Sequence, residues 1–238
     1  MADKRARVRQ LASEFTQKGD QLGWFEALYA EAGPDFAAVP WADMEPNPRL
    51  LEFWQKHPLE SRGQTALVIG SGFGDDSEQL AAWGFKTTAF DISPTAIAAT
   101  KKRYPSTKVE YVAADLFNAP AKWLRAFDFV LEVYTVQAFT GDLRARAITK
   151  IAEFVAPSGQ LLAIARGREE NEPEGQGPPW PLTRTEIDGF RRAGLEEVSF
   201  EDYADAEPPW TRRFRALYRR PELPRRRPPA DFDTIASP

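Results

Sequence analysis

Two hydrophobic rhythms alternate through the middle of this chain. Short apolar runs at 66–69, 86–90, 109–112, 127–131 and 160–165 have the length of buried strands. Between them lie stretches of helical spacing, clearest over 76–83 and 142–155. Ser93-Pro94 supplies an N-cap and a first-turn proline for a further helix. Such alternation predicts βαβ units and a parallel sheet covered on both faces. After the fifth run, residues 166–181 are aperiodic and rich in Glu, Gly and Pro, as in a functional or disordered loop. Thr183 and Glu186 then form a capping box for a helix closing at Gly194. Residues 195–203 and 213–218 read as two strands around the loop 206–210, which would give the sheet an antiparallel edge.

Ahead of the alternating region the pattern is helical. Residues 3–18 place Val8, Leu11, Ala12 and Phe15 on one face, and a second piece carries Trp24, Phe25, Leu28 and Tyr29. Gly33, Pro34, Pro40, Pro46 and Pro48 break the next stretch into loops around Trp41, before a short helix that ends near His57. The expected organisation is an N-terminal helical cap over 1–60, an α/β domain over 61–220 and a disordered Pro/Arg tail over 221–238. The fold class expected is α/β: a Rossmann-like, doubly wound, mostly parallel seven-stranded sheet with an antiparallel terminal hairpin.

The first strand stops at Gly70, Gly72 and Gly74, and a helix begins at once. That is a ligand-binding turn at the carboxyl end of a strand. The next strands end in acids: Asp91, Asp115 and Glu132. Asp91, about 20 residues past the turn, can accept from ribose hydroxyls. Asp115 is placed for an exocyclic amine such as that of adenine, and Glu132 for the reacting end. Two ligands, NAD and S-adenosylmethionine, fit a ribose-binding acid. Three features favour the second. Asp75 replaces the third glycine of the dinucleotide fingerprint. Asp75-Asp76 would repel a pyrophosphate at the helix N-terminus. The terminal hairpin also suits a methyltransferase sheet.

The totals narrow the chemistry further. The 238 residues contain no cysteine and a single histidine, His57, which removes thiolate nucleophiles and most histidine-based catalysis and metal sites. The net charge of −4 argues against a general nucleic-acid binder. With no membrane-length apolar run and no signal-peptide core at the N-terminus, a cytoplasmic location is expected. A monomer or a homodimer is expected.

GSGFG, AFDISP, VAADLF and FDFVLEVYTVQAF, in this order, resemble the successive motifs of class I S-adenosylmethionine-dependent methyltransferases over about residues 64–220. PWADMEPNPRLLEF, GFGDD and the Tyr134-Thr135 pair further resemble the thiopurine S-methyltransferase-like group. The resemblance implies that Gly70, Ser71 and Gly72 pass beneath the methionine part of the cofactor and that Trp41 closes over it. It implies that Asp91 binds the ribose and Ile92 packs on the adenine, with Asp115 on the adenine amine and Leu116 beside the ring. Where many members carry an acid two residues before the first glycine, this chain has Val68, so the cofactor ammonium must be met elsewhere: backbone carbonyls, Asp76 or Glu132.

The implied activity is methyl transfer to a small-molecule acceptor, a thiol or another soft nucleophile. Tyr134, Gln137, Arg166 and Trp180 are the candidate acceptor contacts, each also readable as packing or loop anchorage. Arg166 and Arg168 would either meet an acidic acceptor or lie solvated. No catalytic residue is singled out. The alternatives left open are a NAD-dependent oxidoreductase, a non-catalytic methyltransferase-like binding module, and an RNA methyltransferase. The last rests on Arg212, Arg213, Arg215, Arg219, Arg220 and the 225–227 run.

Overall fold

The computed structural model describes residues 4–205 and 210–222, so most of the expected 221–238 tail and the tip of the 206–210 loop lie outside the described residues. In chain order the elements are α1 (Lys4–Gln17), α2 (Gly23–Ala32), α3 (Pro48–Lys56), β1 (Thr65–Ile69), α4 (Asp75–Ala82), β2 (Lys86–Asp91), α5 (Pro94–Arg103), β3 (Glu110–Ala113) and β4 (Phe127–Val133). Then come α6 (Gly141–Phe154), β5 (Val155–Arg166), α7 (Arg184–Ile187), α8 (Gly189–Arg192), β6 (Glu196–Ala204) and β7 (Arg212–Arg219).

The seven strands form one sheet in the order β3-β2-β1-β4-β5-β7-β6. The first five are mutually parallel, and β7 pairs antiparallel with both β5 and β6. The antiparallel strand is therefore internal, and the edge belongs to β6. Burial explains the exchange. Phe214, Ala216 and Tyr218 of β7 pack into the core facing α6 while Leu217 packs into the opposite one, as an interior strand requires. In β6 no position is fully buried, and half-buried residues alternate with exposed ones over most of the strand, as at a half-solvated edge.

The sheet separates two cores. On one face Val130, Ala163 and Phe214 meet Ile148 and Ile151 of α6 and Phe190 of α8. On the other, Val68, Leu131 and Ile164 meet Leu50 and Phe53 of α3, Leu80 of α4 and Ile97 of α5. A third cluster joins Val8 and Leu11 of α1 and Trp24, Leu28 and Tyr29 of α2 to Phe73 and Ala96. The N-terminal helices thus sit on the glycine turn itself.

The structure departs from the sequence pattern locally in two places. β5 begins at Val155, directly after α6, because Val155 pairs with Phe127; residues 156–159 then bulge before Gln160 resumes pairing at Phe129. The single helix expected over 183–194 is instead two short helices meeting at Asp188. The capping box at Thr183 and Glu186 is present in both directions.

Candidate active site

Strand order reverses beside β1, and there a cavity of about 350 Å³ opens beyond the carboxyl ends of the parallel strands. Its floor is the turn Gly70–Gly74. Gly72 sits at φ 51°, and a Cβ there would stand 3.2 Å from the Tyr29 hydroxyl. Its N–H donates to Asp91 Oδ2 at 2.9 Å, and its carbonyl accepts from Thr100 Oγ1 at 2.9 Å. Asp91 Oδ1 accepts from Ser93 N–H at 2.9 Å. A carboxylate offers about four acceptor positions, so this one fixes the turn and still has capacity for a ligand. Burial raises its pKa, against the lowering effect of these two N–H groups.

Asp115 accepts from Phe117 N–H at 2.9 Å and lines the cavity together with Ile92, Leu116 and Phe117. Trp41 donates from Nε1 to the Tyr29 hydroxyl at 2.9 Å, and both rings line the wall above the turn. The structure brings Trp41, Gly70, Ser71, Gly72, Asp91, Ile92, Asp115 and Leu116 to one cavity. The Ser71 hydroxyl has no hydrogen-bond partner among the described residues.

The two acids of α4 differ. Asp75 also lines the cavity but is paired with Arg103 at 2.7 Å. Asp76 lines the cavity, accepts from Asn47 N–H at 2.7 Å, and has its pKa pushed up to about 6 by burial, with Asp75 and Asp43 adding to the rise. Negative charge gathered at the helix N-terminus, where a dinucleotide would place its pyrophosphate, suits a cationic ligand part instead. With no phosphate to place and an ammonium and a sulfonium to receive, S-adenosylmethionine fits these residues.

Glu132 does not reach the cavity. It is 1% exposed, and its Oε1 accepts from Val136 N–H at 2.9 Å, closing the turn after β4. Burial pushes its pKa up to about 7. The cause is parity: Glu132 shares a sheet face with Val130, which packs towards α6. Of the acids weighed for the cofactor ammonium, Asp76 alone lines the cavity.

Of the candidate acceptor contacts, Tyr134, Gln137 and Arg166 line the cavity and Trp180 does not. Trp180 donates its backbone N–H to the Gln137 carbonyl at 2.8 Å, and Pro178 and Pro179 present the 166–181 loop to the cavity in its place. Arg168 turns away, bonding the carbonyls of Pro181 and Glu172 and the Glu186 carboxylate, which pins that loop. His57 is not a lining residue; its ring packs on Phe53.

Three cavity residues have no clear signal in the sequence. Tyr29 reads as core by its helical spacing, and is both buried and cavity-lining. Arg49 and Arg213 also line the cavity. The only hint of Arg213 is an apolar strand pattern interrupted by arginines. The other basic side chains of that strand are answered within the fold: Arg212 by Asp202 and Glu169, Arg215 by Glu201 and Glu52, Arg219 by Glu196. They do not form an open phosphate-binding stripe.

Comparison with known proteins agrees with this geometry. The model of the methyltransferase-domain family matches residues 66–159. The chain is 21% identical over 178 residues to a thiopurine S-methyltransferase of Vibrio atlanticus, covering 68% of this chain and 80% of that protein. It is 26% identical over 199 residues to a probable thiol methyltransferase 2 of Arabidopsis thaliana, covering 81% of this chain and 80% of that one. In fold it resembles the N-methyltransferase NodS from Bradyrhizobium japonicum WM9, solved in complex with S-adenosyl-L-homocysteine. That match has TM-score 0.62 and 20% identity, over 77% of this chain and 92% of that one. No helix among the described residues is long and apolar enough to cross a membrane.

Proposed function

From the premise that this chain is a class I S-adenosylmethionine-dependent methyltransferase, we propose that its acceptor is a small molecule presenting a thiol or similarly soft nucleophile. One observation carries the reading. The acceptor end of the cavity holds Tyr134, Gln137 and arginines, with no histidine or cysteine lining it among the described residues. A thiol ionises near pH 8.5 and needs no strong general base, whereas an amide or an alcohol would. The curated relatives, named for thiopurine and thiol methylation, support the same choice.

The cofactor, when bound, supplies a methyl group on a sulfonium already activated for in-line transfer. What remains for the protein is placement. Asp91 and Asp115 would fix the adenosine, and Asp76 would face the ammonium across the turn. The aromatic faces of Tyr29 and Trp41 would cover the methionine end. Cation–π attraction there is worth roughly 0.5–2 kcal/mol. The 178–179 prolines and the N-terminal helices keep water from the acceptor. Holding the two reactants at near-attack distance supplies on the order of 7–11 kcal/mol at best, and the thiol would enter as the thiolate, its proton given up to solvent before it is enclosed.

The test is methyl transfer from labelled S-adenosylmethionine to a panel of thiols, halides, phenols and amines, alongside calorimetry with S-adenosylhomocysteine. Transfer to thiols above the other classes is expected. Binding of S-adenosylhomocysteine with transfer only to amines or phenols would overturn the soft-nucleophile reading.

A further inference from the structure

The two ends of the cavity carry opposite charge. Arg5, Arg49, Arg166 and Arg213 all line it. Asp205 pairs with Arg49 and with Arg213, at 2.5 and 2.7 Å. Arg166 makes no ion pair or side-chain hydrogen bond with any described residue, and Arg5 and Arg213 both act on it as like charges.

Arg166 and Arg213 are direct partners in the antiparallel β5–β7 ladder, so their side chains leave the same face. Like charges directly opposite one another destabilise a sheet pair. Asp205, bonded to Arg213, offsets one of the two charges and acts on Arg166 only at a distance, so the Arg166 guanidinium stands at the cavity wall without a bonded counter-charge. Two further donors point the same way. Gln137 is fully buried; its Oε1 accepts from Arg166 N–H at 2.5 Å, which leaves Nε2 without a partner among the described residues. Arg213 is 7% exposed; its Nε and Nη2 go to Asp205, and its Nη1 has no partner among them either. A buried donor left unsatisfied costs stability, so orphaned donors on two residues that line a cavity point to an acceptor group seated beside them. The Arg213 guanidinium also lies 5.4 Å from the Tyr134 ring centroid, which places Tyr134 beside this cluster.

We propose that the methyl acceptor carries an anionic group, a carboxylate or sulfonate, seated between the Arg166 guanidinium, Arg213 Nη1 and Gln137 Nε2. The Tyr134 ring would flank the body of the acceptor and leave its nucleophile towards the glycine turn. The proposal rests on the methyltransferase reading of the same cavity and adds the charge of the substrate to it. Arg168 plays no part, since its side-chain bonds hold the loop.

The probes are 3-mercaptobenzoate and its methyl ester, which share a thiol and differ in one charge. Each is titrated calorimetrically into the protein saturated with S-adenosylhomocysteine, and each is offered with S-adenosylmethionine for transfer. The acid is expected to bind roughly tenfold to a hundredfold more tightly than the ester, the range of a charge-assisted contact. In Arg166→Met that preference should collapse towards unity while S-adenosylhomocysteine binding persists; Arg166→Lys should restore part of it. Equal binding of acid and ester, preference for the ester, or failure of both to bind the saturated protein would overturn the proposal. So would a preference that survives Arg166→Met. Failure to bind S-adenosylhomocysteine at all would instead overturn the methyltransferase reading, so the two failures are separate.

Discussion

Glu132 offers a measurement whose size comes from its burial. The folded protein holds its carboxyl near 7, against an ordinary 4.5. At about 1.36 kcal/mol per unit, ionising it costs roughly 3 kcal/mol more in the folded chain than in the unfolded one. The folded state binds the extra proton, so this contribution is fully present below about 4.5 and is lost as pH rises through 7. Glu132→Gln removes the titration and keeps an oxygen for Val136 N–H. The assay is chemical denaturation of both proteins between pH 4.5 and 8.5. The variant's stability relative to the parent should rise by roughly 3 kcal/mol across that range, about 6–12 °C in melting temperature for a domain of this size. Asp76 and Asp91 titrate in both proteins and cancel in the difference. Parallel stability curves would refute the burial argument for Glu132.

Three further outcomes are expected at the site. Asp91→Ala strips the acceptor from Gly72 and Ser93 N–H as well as from the ribose contact proposed for it, so S-adenosylhomocysteine affinity should fall by at least roughly tenfold in calorimetry; unchanged affinity would remove Asp91 from the binding site. The ammonium contact proposed for Asp76 needs its carboxylate ionised, so that affinity should weaken as pH falls through about 6 and become flat there in Asp76→Asn; a flat parent profile would send the ammonium elsewhere. Gly74→Ala should cost about 1–3 kcal/mol in thermal unfolding, since φ is +90° and the new Cβ would meet Tyr111 Oη at 2.5 Å; an unshifted transition would contradict it.

What the sequence made legible was local. The glycine turn, the helix starts at Ser93 and Thr183, and the strand ends at Asp91 and Asp115 all depend on residues within a few positions of one another. The missed features depend on long-range pairing. Arg166 and Arg213 become one cluster only because β7 inserts beside β5, and Tyr29 meets Gly72 only because α2 folds back over the turn. Glu132 shows a subtler limit. Its place at a strand end was readable, but which face it takes depends on a period of two, counted from a pairing register that the sequence does not display. Trp180 was the conspicuous residue of its loop, yet the neighbouring prolines meet the cavity, because the backbone of Trp180 is bonded to Gln137.

The interior position of β7 also bears on how the molecule is made. β7 comes last among the strands in chain order, and β6, made before it, has no partner in the sheet until β7 arrives. A ribosome delivers the chain from its N-terminus, so β5 keeps an unpaired edge through the synthesis of the whole segment between them. Such an edge is an open template for another chain. The same late strand brings Arg213 to the cavity wall. Closing the sheet and completing that wall of the cavity are therefore one event, and a nascent chain that has not reached residue 219 has neither.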